Sequence, residues 1–399
     1  MRVLYVAPRH VFPPRRGSTV RIASLGRELS RRHEVRHLTT GAERPRRRRG
    51  VIEHAVSSSQ SELRRIHPLS ALIMSASSRS WHGAPVLGGL GMRAAEPAVH
   101  AERFRRADVV MVEFPWQFRV SRRLTPASTP CVYSSANVET DKFRSWAEAV
   151  EVSPARASPW LRYIERAERH AVTRADLVTT VCDLDRDAFI DRFGADPART
   201  IVVPNGVDTR RFRPTGAEGR AAMRQELGLP DRPVVLYHGS NMPANRAGLQ
   251  WVRRLAAANG GFTYLVAGGV APPERSDRFV AVGSVPDMRP YLAAADLAIC
   301  PIAHGGGTKL KLLEYMAAGL PTVAFEEGIR GTGVLPGRHV ILAPHDERCL
   351  LDALETLADN PDLAARIRAA ARDLTERCYD WRGIAAVLEG ALLGLTRRR

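Results

Sequence analysis

Two successive runs of short apolar segments, each followed by a helical pattern, constrain this chain most. Residues 3–7, 35–39, 109–113, 131–134, 177–181 and 201–203 read as strands in the first run. Residues 234–238, 263–267, 279–282, 297–300, 322–324 and 340–342 read as strands in the second. Near-continuous apolar runs of this length mark strands buried on both faces, as in parallel sheets. Helices are expected between them at 19–31, 155–174, 246–258, 287–294, 308–318, 347–358 and 361–376. Residues 41–50 read as an arginine-rich loop, and 51–107 as weakly patterned and partly helical. Two βα runs imply an α/β protein of two doubly wound Rossmann-like domains facing a cleft. The boundary is expected just after Val203, where Pro204, Asn205 and Gly206 cluster. A ligand of such sheets sits at the carboxyl ends of the strands. There is neither a GxGxxG fingerprint nor a GxxxxGK[ST] loop, which disfavours nicotinamide enzymes and P-loop ATPases.

The sharpest segment runs from His304 to Pro321, HGGGTKLKLLEYMAAGLP. Its glycines allow a tight turn, and Thr308 is expected to cap the following helix. Amides at Gly307, Thr308, Lys309 and Leu310 would then form a diphosphate site at the helix N-terminus. Lys309 and Lys311 oppose the helix dipole, so an anion there supplies their reason. Glu314 lies seven residues after Gly307, two turns on along the same face. The bland alternative is a strand–loop–helix with a Lys311–Glu314 surface pair.

Charge adds an expectation about partners. Of the formal net charge of +17, residues 1–150 carry +14. The basic residues are arginines except for Lys142, Lys309 and Lys311. A positive field concentrated in the first part fits an anionic membrane surface, lipid phosphate or nucleic acid. Five arginines within 44–49 add to that field. No aromatic platform is interleaved with them, so nucleic acid is not expected. The opening apolar run is too short for a signal-peptide core, and no run reaches the ~20 residues of a membrane span. The expected location is therefore cytoplasmic, peripheral on the inner membrane face. The five cysteines are scattered without zinc spacing and read as mostly packed reduced thiols.

The segment 304–321 resembles the nucleotide-sugar site of the family 4 retaining glycosyltransferases, the glycogen-synthase-like group with the GT-B fold. Other segments agree in order. Tyr5 to Val35, with Pro13, Gly17, Ser18 and Arg21, is similar to the family's acceptor-domain start. The stretches 175–183 and 203–214 resemble its interdomain region, and 282–296, with Val285, its base-binding loop. Tyr379-Asp380-Trp381 resembles the point where the terminal helix returns to the first domain. The resemblance thus implies an acceptor domain at 1–205, a nucleotide-sugar domain at 206–376 and a returning helix at 377–399. It is weakest over 41–107, where the acceptor would be read.

What the resemblance implies is metal-independent, retaining transfer of a sugar from a nucleoside diphosphate donor to a hydroxyl acceptor, without a cofactor. That acceptor would belong to a polysaccharide, a glycolipid, lipid-linked or not, or a natural product. Glu314 takes the place of the family's ribose-binding glutamate, and Gly306 that of its first glutamate. The family's arginine–lysine pair would fall near Ser240 and Asn245, where both charges are missing. The string GGGTKLKLLE, with the Gly239–Ser240–Asn241…Asn245 loop, is similar to a subgroup variant of the motif. Lys309 and Lys311 would supply the lost charge, Lys309 the more. Gly17 and Ser18 would approach a donor phosphate, with Arg15 and Arg16 beside the acceptor. Glu113 would hydrogen-bond acceptor hydroxyls, Trp116 would stack on a sugar, and Asn137 or Glu139 would touch the acceptor. The rival readings are a nucleotide-sugar 2-epimerase of the same architecture and a catalytically silent nucleotide-sugar-binding subunit.

Overall fold

A computed structural model describes residues 1–7, 11–14, 17–40, 46–48, 51–56, 97–149, 151–258 and 261–397. Residues 40, 46–48, 51–56, 97–100 and 149 are described by backbone alone. Arg15 and Arg16 lie outside the described residues, as does most of the segment 57–107. The chain divides into two compact units, Met1–Pro204 with Ile384–Arg399, and Asn205–Gly383.

The first unit is built on β1 (Arg2–Ala7), β2 (Glu34–Thr40), β3 (Arg46–Arg48), β4 (Val51–Val56), β5 (Val109–Val112), β6 (Cys131–Ser134), β7 (Leu177–Thr180) and β8 (Thr200–Val202). Their order is β3-β4-β2-β1-β5-β6-β7-β8. All neighbours pair in parallel except β3, which runs antiparallel to β4. Strand order reverses between β1 and β5, in register Val6 to Val112. The crevice beyond their carboxyl ends is therefore where a doubly wound sheet receives ligands. Leu4, Val6, Val110, Val112 and Tyr133 pack on one face against Phe118, Val172 and Phe189. Each fully buried aliphatic side chain contributes ~1.5–3 kcal/mol.

The second unit contains β9 (Val234–His238), β10 (Thr263–Ala267), β11 (Glu274–Arg275), β12 (Phe279–Ala281), β13 (Leu297–Cys300), β14 (Thr322–Ala324) and β15 (Ile341–Leu342). The order is β11-β12-β10-β9-β13-β14-β15, with the reversal between β9 and β13. Alternation along β9 fixes its faces: Val235 and Tyr237 pack with Leu350, Leu354 and Ile367. Leu236 faces the opposite layer, with Leu292, Tyr315 and Leu320.

Several expectations need correction. The 41–50 loop contains a strand at 46–48, and the segment 51–107 opens with another. Helix Pro97–Arg105 falls in the partly helical 51–107 segment, whereas Pro115–Leu124, Glu139–Ala149, Asp183–Phe193 and Ala217–Glu226 were not expected. Of these, Asp183–Phe193 carries almost no one-sided apolar stripe, because its charged residues are spread around it. No helix among the described residues is long and apolar enough to cross a membrane. The five cysteines are free: Cys131, Cys182 and Cys300 are buried, Cys349 and Cys378 exposed.

Candidate functional site

In the second unit, the reversal of strand order brings together the loops after β9 and β13. The loop after β9 starts at Gly239 and enters the helix Pro243–Ala257. It is stitched to the end of β10: Gly239 N–H donates to Ala267 O at 3.0 Å, and Val270 N–H donates to Gly239 O at 3.0 Å. The approach requires glycine at 268, whose φ is +97° and where a Cβ would run into the Gly239 carbonyl oxygen. Ser284 Oγ lies 3.0 Å from where a Cβ of Gly269 would sit, so the loop carrying Val285 adjoins the same strand ends.

The loop after β13 carries the three glycines. Gly305 and Gly307 adopt positive φ, +113° and +65°. The helix begins at Leu310, not Thr308, and its N-cap residue is Lys309, with no side-chain cap. Thr308 is thus not the expected cap. Its hydroxyl instead accepts from Asn205 Nδ2 at 2.7 Å, and both residues are buried. Asn205 was not anticipated as part of the site. Its signal was the Pro204-Asn205-Gly206 turn, read only as a boundary.

The two lysines do different things. Lys309 Nζ donates to the carbonyls of Gly305 (3.0 Å) and Gly307 (2.9 Å), bracing the glycine loop. Lys311 turns inward. Its Nζ donates to Asn245 Oδ1 at 2.8 Å and lies 4.3 Å from the centroid of the Tyr237 ring. The Tyr237 hydroxyl donates to Asn245 O at 2.7 Å, and Asn245 Nδ2 donates to Ser240 O at 2.9 Å. Burial pulls the Lys311 ammonium from its ordinary 10.5 down to about 8, opposed by Cys300 and Glu314. A cation–π contact and one amide oxygen are a thin replacement for water around an ammonium. Asn245, near which the resemblance led to the expectation of a charge, is the residue that receives Lys311. Asn241 holds Arg246 Nη1 through its Oδ1 at 2.9 Å.

Glu314 does not pair with Lys311, as the surface-pair alternative required. Its Oε2 lies 3.0 Å from His238 Nε2. His238 ends β9, its backbone N–H donates to the Tyr315 hydroxyl oxygen at 2.9 Å, and the two rings meet edge to face. His238 was missed by sequence reasoning. Its signal was a histidine at a strand's carboxyl end directly before Gly239. Lys311, Asn245, Ser240, Glu314 and His238 thus gather with the 305–309 loop around the ends of β9 and β13. Among the described residues, no group of three or more His, Cys, Asp or Glu side chains could hold a metal ion.

The first-unit candidates fare differently. Gly17 and Ser18 open the helix Gly17–Leu29, with Gly17 exposed. Arg21, on that helix, is buried and donates to Val203 O and Pro204 O, each at 2.8 Å. Glu113 follows β5 but is buried at 1% exposure, which removes it from direct contact with an acceptor hydroxyl. Its Oε2 accepts from the Tyr5 hydroxyl at 2.8 Å, and its Oε1 has no partner. Burial pushes this carboxyl up to about 7, against the charge of Arg21. Trp116 does not present a sugar platform: it is buried and stacked on Phe114, with ring centroids 4.9 Å apart. Glu139 is also buried, paired with Lys142 at 3.1 Å and receiving Asn137 Nδ2 at 2.9 Å. It opens a helix whose Thr140 N–H is accepted by Glu168 at 2.9 Å, so Asn137 and Glu139 serve that helix start.

Residues 15–211 match the family described as Glycosyltransferase Family 4, and residues 232–360 the family described as Glycosyl transferases group 1. The chain is similar to the D-inositol 3-phosphate glycosyltransferase of Kineococcus radiotolerans, 32% identical over 226 residues, 49% of this chain and 52% of that protein. It spans about half the length of the curated relatives it matches. Among solved structures it is similar to sucrose-phosphate synthase from Thermosynechococcus elongatus (TM-score 0.75, 18% identity, 100% of both chains). It is also similar to Anabaena HepE in complex with UDP (TM-score 0.68, 17% identity, 99% of this chain and 100% of that one). At these identities the likeness shows the fold, two Rossmann-like domains of GT-B type. Two glycosyltransferase segments, one of family 4 and one of group 1, thus follow each other along a chain of GT-B-type fold.

Proposed function

We propose that this chain is a retaining glycosyltransferase that moves a sugar from a nucleoside diphosphate sugar to a hydroxyl acceptor, without a metal. The observation that carries the reading is the buried Lys311 ammonium, held at the strand-order reversal between the glycine loop and Asn245. A cation kept there against its desolvation is matched to an anion that completes its coordination. In this reading the donor diphosphate lies on the start of the helix Leu310–Ala317 and against Lys311. Lys309 shapes the loop, and Glu314, whose Oε2 lies 3.0 Å from His238 Nε2, receives the ribose hydroxyls. This assignment reverses the order expected for the two lysines, because the Lys309 ammonium is engaged by loop carbonyls.

The chemistry then needs no nucleophile from the protein. The bond between the anomeric carbon and the phosphate oxygen breaks, and negative charge develops on the leaving diphosphate. Fixed positive groups placed there stabilise the transition state. The acceptor hydroxyl attacks from the same face, forms the new glycosidic bond and gives its proton to the departing phosphate oxygen. In this scheme Lys311 of the string 305–314, held by Asn245 of the loop after β9, supplies the charge of the family's missing pair. A relative named for D-inositol 3-phosphate supports an acceptor that carries phosphate. The strongly basic 1–150 segment supports contact with an anionic membrane surface, and hence a cytoplasmic, peripheral protein.

The test is incubation of the purified chain with UDP-, GDP-, ADP- and dTDP-sugars and candidate acceptors. The reading expects release of nucleoside diphosphate, and a product that keeps the donor's anomeric configuration by NMR. A sugar epimerised at C2, or inverted in the product, would replace it, and a chain that binds donor but never turns it over would be a silent subunit.

A further inference from the structure

The first unit contains a cavity of about 450 Å³ lined by Arg119, Arg122, Arg123, His170, Arg174 and Asp176. It lies at the opposite end of the sheet from the strand ends discussed above. Cys131 begins β6 and Asp176 immediately precedes β7. Arg122 and Arg123 stand in the last turn of the helix Pro115–Leu124, and Arg174 ends the helix Pro154–Arg174. The volume falls within the roughly 300–1,000 Å³ of small-molecule sites.

Its charges do not balance. Four guanidiniums face one carboxylate. Two helix carboxyl ends contribute about −0.5 each, so about two positive charges remain. None of the four arginines has an acidic partner within ion-pair distance among the described residues, and Arg122 Nη1 is buried with no hydrogen-bond partner. Arg119 and Arg123 stand four residues apart on one helix face, a like-charge spacing that destabilises a helix unless an anion lies between them. Asp176 is engaged elsewhere, accepting the N–H of Cys131 at 2.8 Å. Burial lowers the His170 pKa, with Arg119, Arg174 and Arg123 adding to the effect, so the ring reports on the charge of the cavity.

We propose that this cavity is a second anion site, separate from the donor site, that takes a phosphoryl group carried by a small molecule. A phosphomonoester carries about two negative charges at neutral pH, which matches the excess. Guanidinium forks match phosphate oxygens in pairs. A recess of about 450 Å³ fits a compact phosphate-bearing molecule, and a bilayer surface is the competing occupant.

The experiment uses the full chain and inorganic phosphate as probe, with chloride at equal ionic strength as control. The His170 ring is followed by NMR, and affinity is measured by calorimetry for wild type, Lys311→Met and R119Q/R123Q. Arg119 and Arg123 are exposed, so the double substitution removes charge without removing core packing. The expected results are a His170 pKa that rises with phosphate and not with chloride, and binding retained in Lys311→Met. R119Q/R123Q should weaken that binding at least tenfold. A His170 signal indifferent to phosphate, or equal phosphate affinity in R119Q/R123Q, overturns the proposal. A response to vesicles containing phosphatidic acid but not to phosphate also overturns it, in favour of a membrane contact. Because Lys311→Met removes the donor-site cation, failure of this proposal and failure of the donor-site reading are distinguishable.

Discussion

Replacing Lys311 by methionine separates a residue kept for stability from one kept for an anion. The drop from 10.5 to about 8 corresponds to the buried ammonium being disfavoured against the neutral amine by ~3 kcal/mol more than in water. Methionine fills much of the same volume without the charge. Its gain is offset by the Asn245 oxygen left without a donor, a loss of ~1–3 kcal/mol. The variant should therefore match wild type in stability at pH 7 within ~2 kcal/mol. Binding should behave otherwise. A charge-assisted hydrogen bond to phosphate is worth ~1.5–3 kcal/mol, so nucleoside diphosphate affinity should fall roughly 10- to 150-fold. The pH dependence adds a signature. Lys311 loses its proton as pH rises through about 8, so wild-type affinity should decline above that pH. The variant should show no such decline. Stability carries the matching sign: between about 8 and 10.5 the unfolded chain binds more protons at this lysine, so wild-type stability rises with pH there, and the variant lacks that rise. Calorimetric titration of both proteins from pH 6.5 to 9.5 is the assay. A folded Lys311→Met with unchanged diphosphate affinity refutes the reasoning.

Three further outcomes can be checked directly. Glu314→Gln should raise the donor KM and weaken nucleotide binding by ~1.5–3 kcal/mol without lowering the melting temperature. Glu113, held at about 7 against an ordinary 4.5, makes the native state bind the extra proton, so its contribution to stability is full below pH 4.5 and lost as pH rises through 7. Glu113→Gln should flatten that part of a melting-temperature profile between pH 4.5 and 8. Gly268→Ala should destabilise the protein by ~1–3 kcal/mol, because φ is +97° and the new methyl would displace the Gly239 loop. It should weaken donor binding at the same time, measured by denaturant unfolding and nucleotide titration.

The alternation of apolar strands with helices was legible because both faces of a parallel strand are buried, and every strand expected from the sequence is present within a residue or two at each end. Residues 46–48 were not legible as a strand, because three consecutive arginines carry no apolar alternation. The glycine loop and the helix after it were legible because positive φ at Gly305 and Gly307 requires that residue type. Partner choice inside the loop was not. Which lysine turns inward depends on where Asn245 and Tyr237 lie, 66 and 74 positions away from Lys311 in the chain. Likewise Glu113, Trp116 and Glu139 follow or flank strand ends as ligand-binding residues do, yet Tyr5, Phe114 and Lys142 occupy them. Spacing along the chain places a side chain at the end of a sheet, and tertiary packing decides whether it faces the crevice or the core.

The central claim is that the second unit holds a nucleoside diphosphate sugar through Lys311 and Glu314. The most direct measurement is thermal unfolding of the full chain with UDP-, GDP-, ADP- and dTDP-sugars, repeated on Lys311→Met and Glu314→Gln. A ligand at one hundred times its Kd stabilises by about 2.7 kcal/mol. The account predicts a rise of that size for at least one nucleotide class in wild type, cut to about 0.3–1.4 kcal/mol in each variant at the same concentration. No rise with any of the four classes, or a rise undiminished by both substitutions, would contradict it.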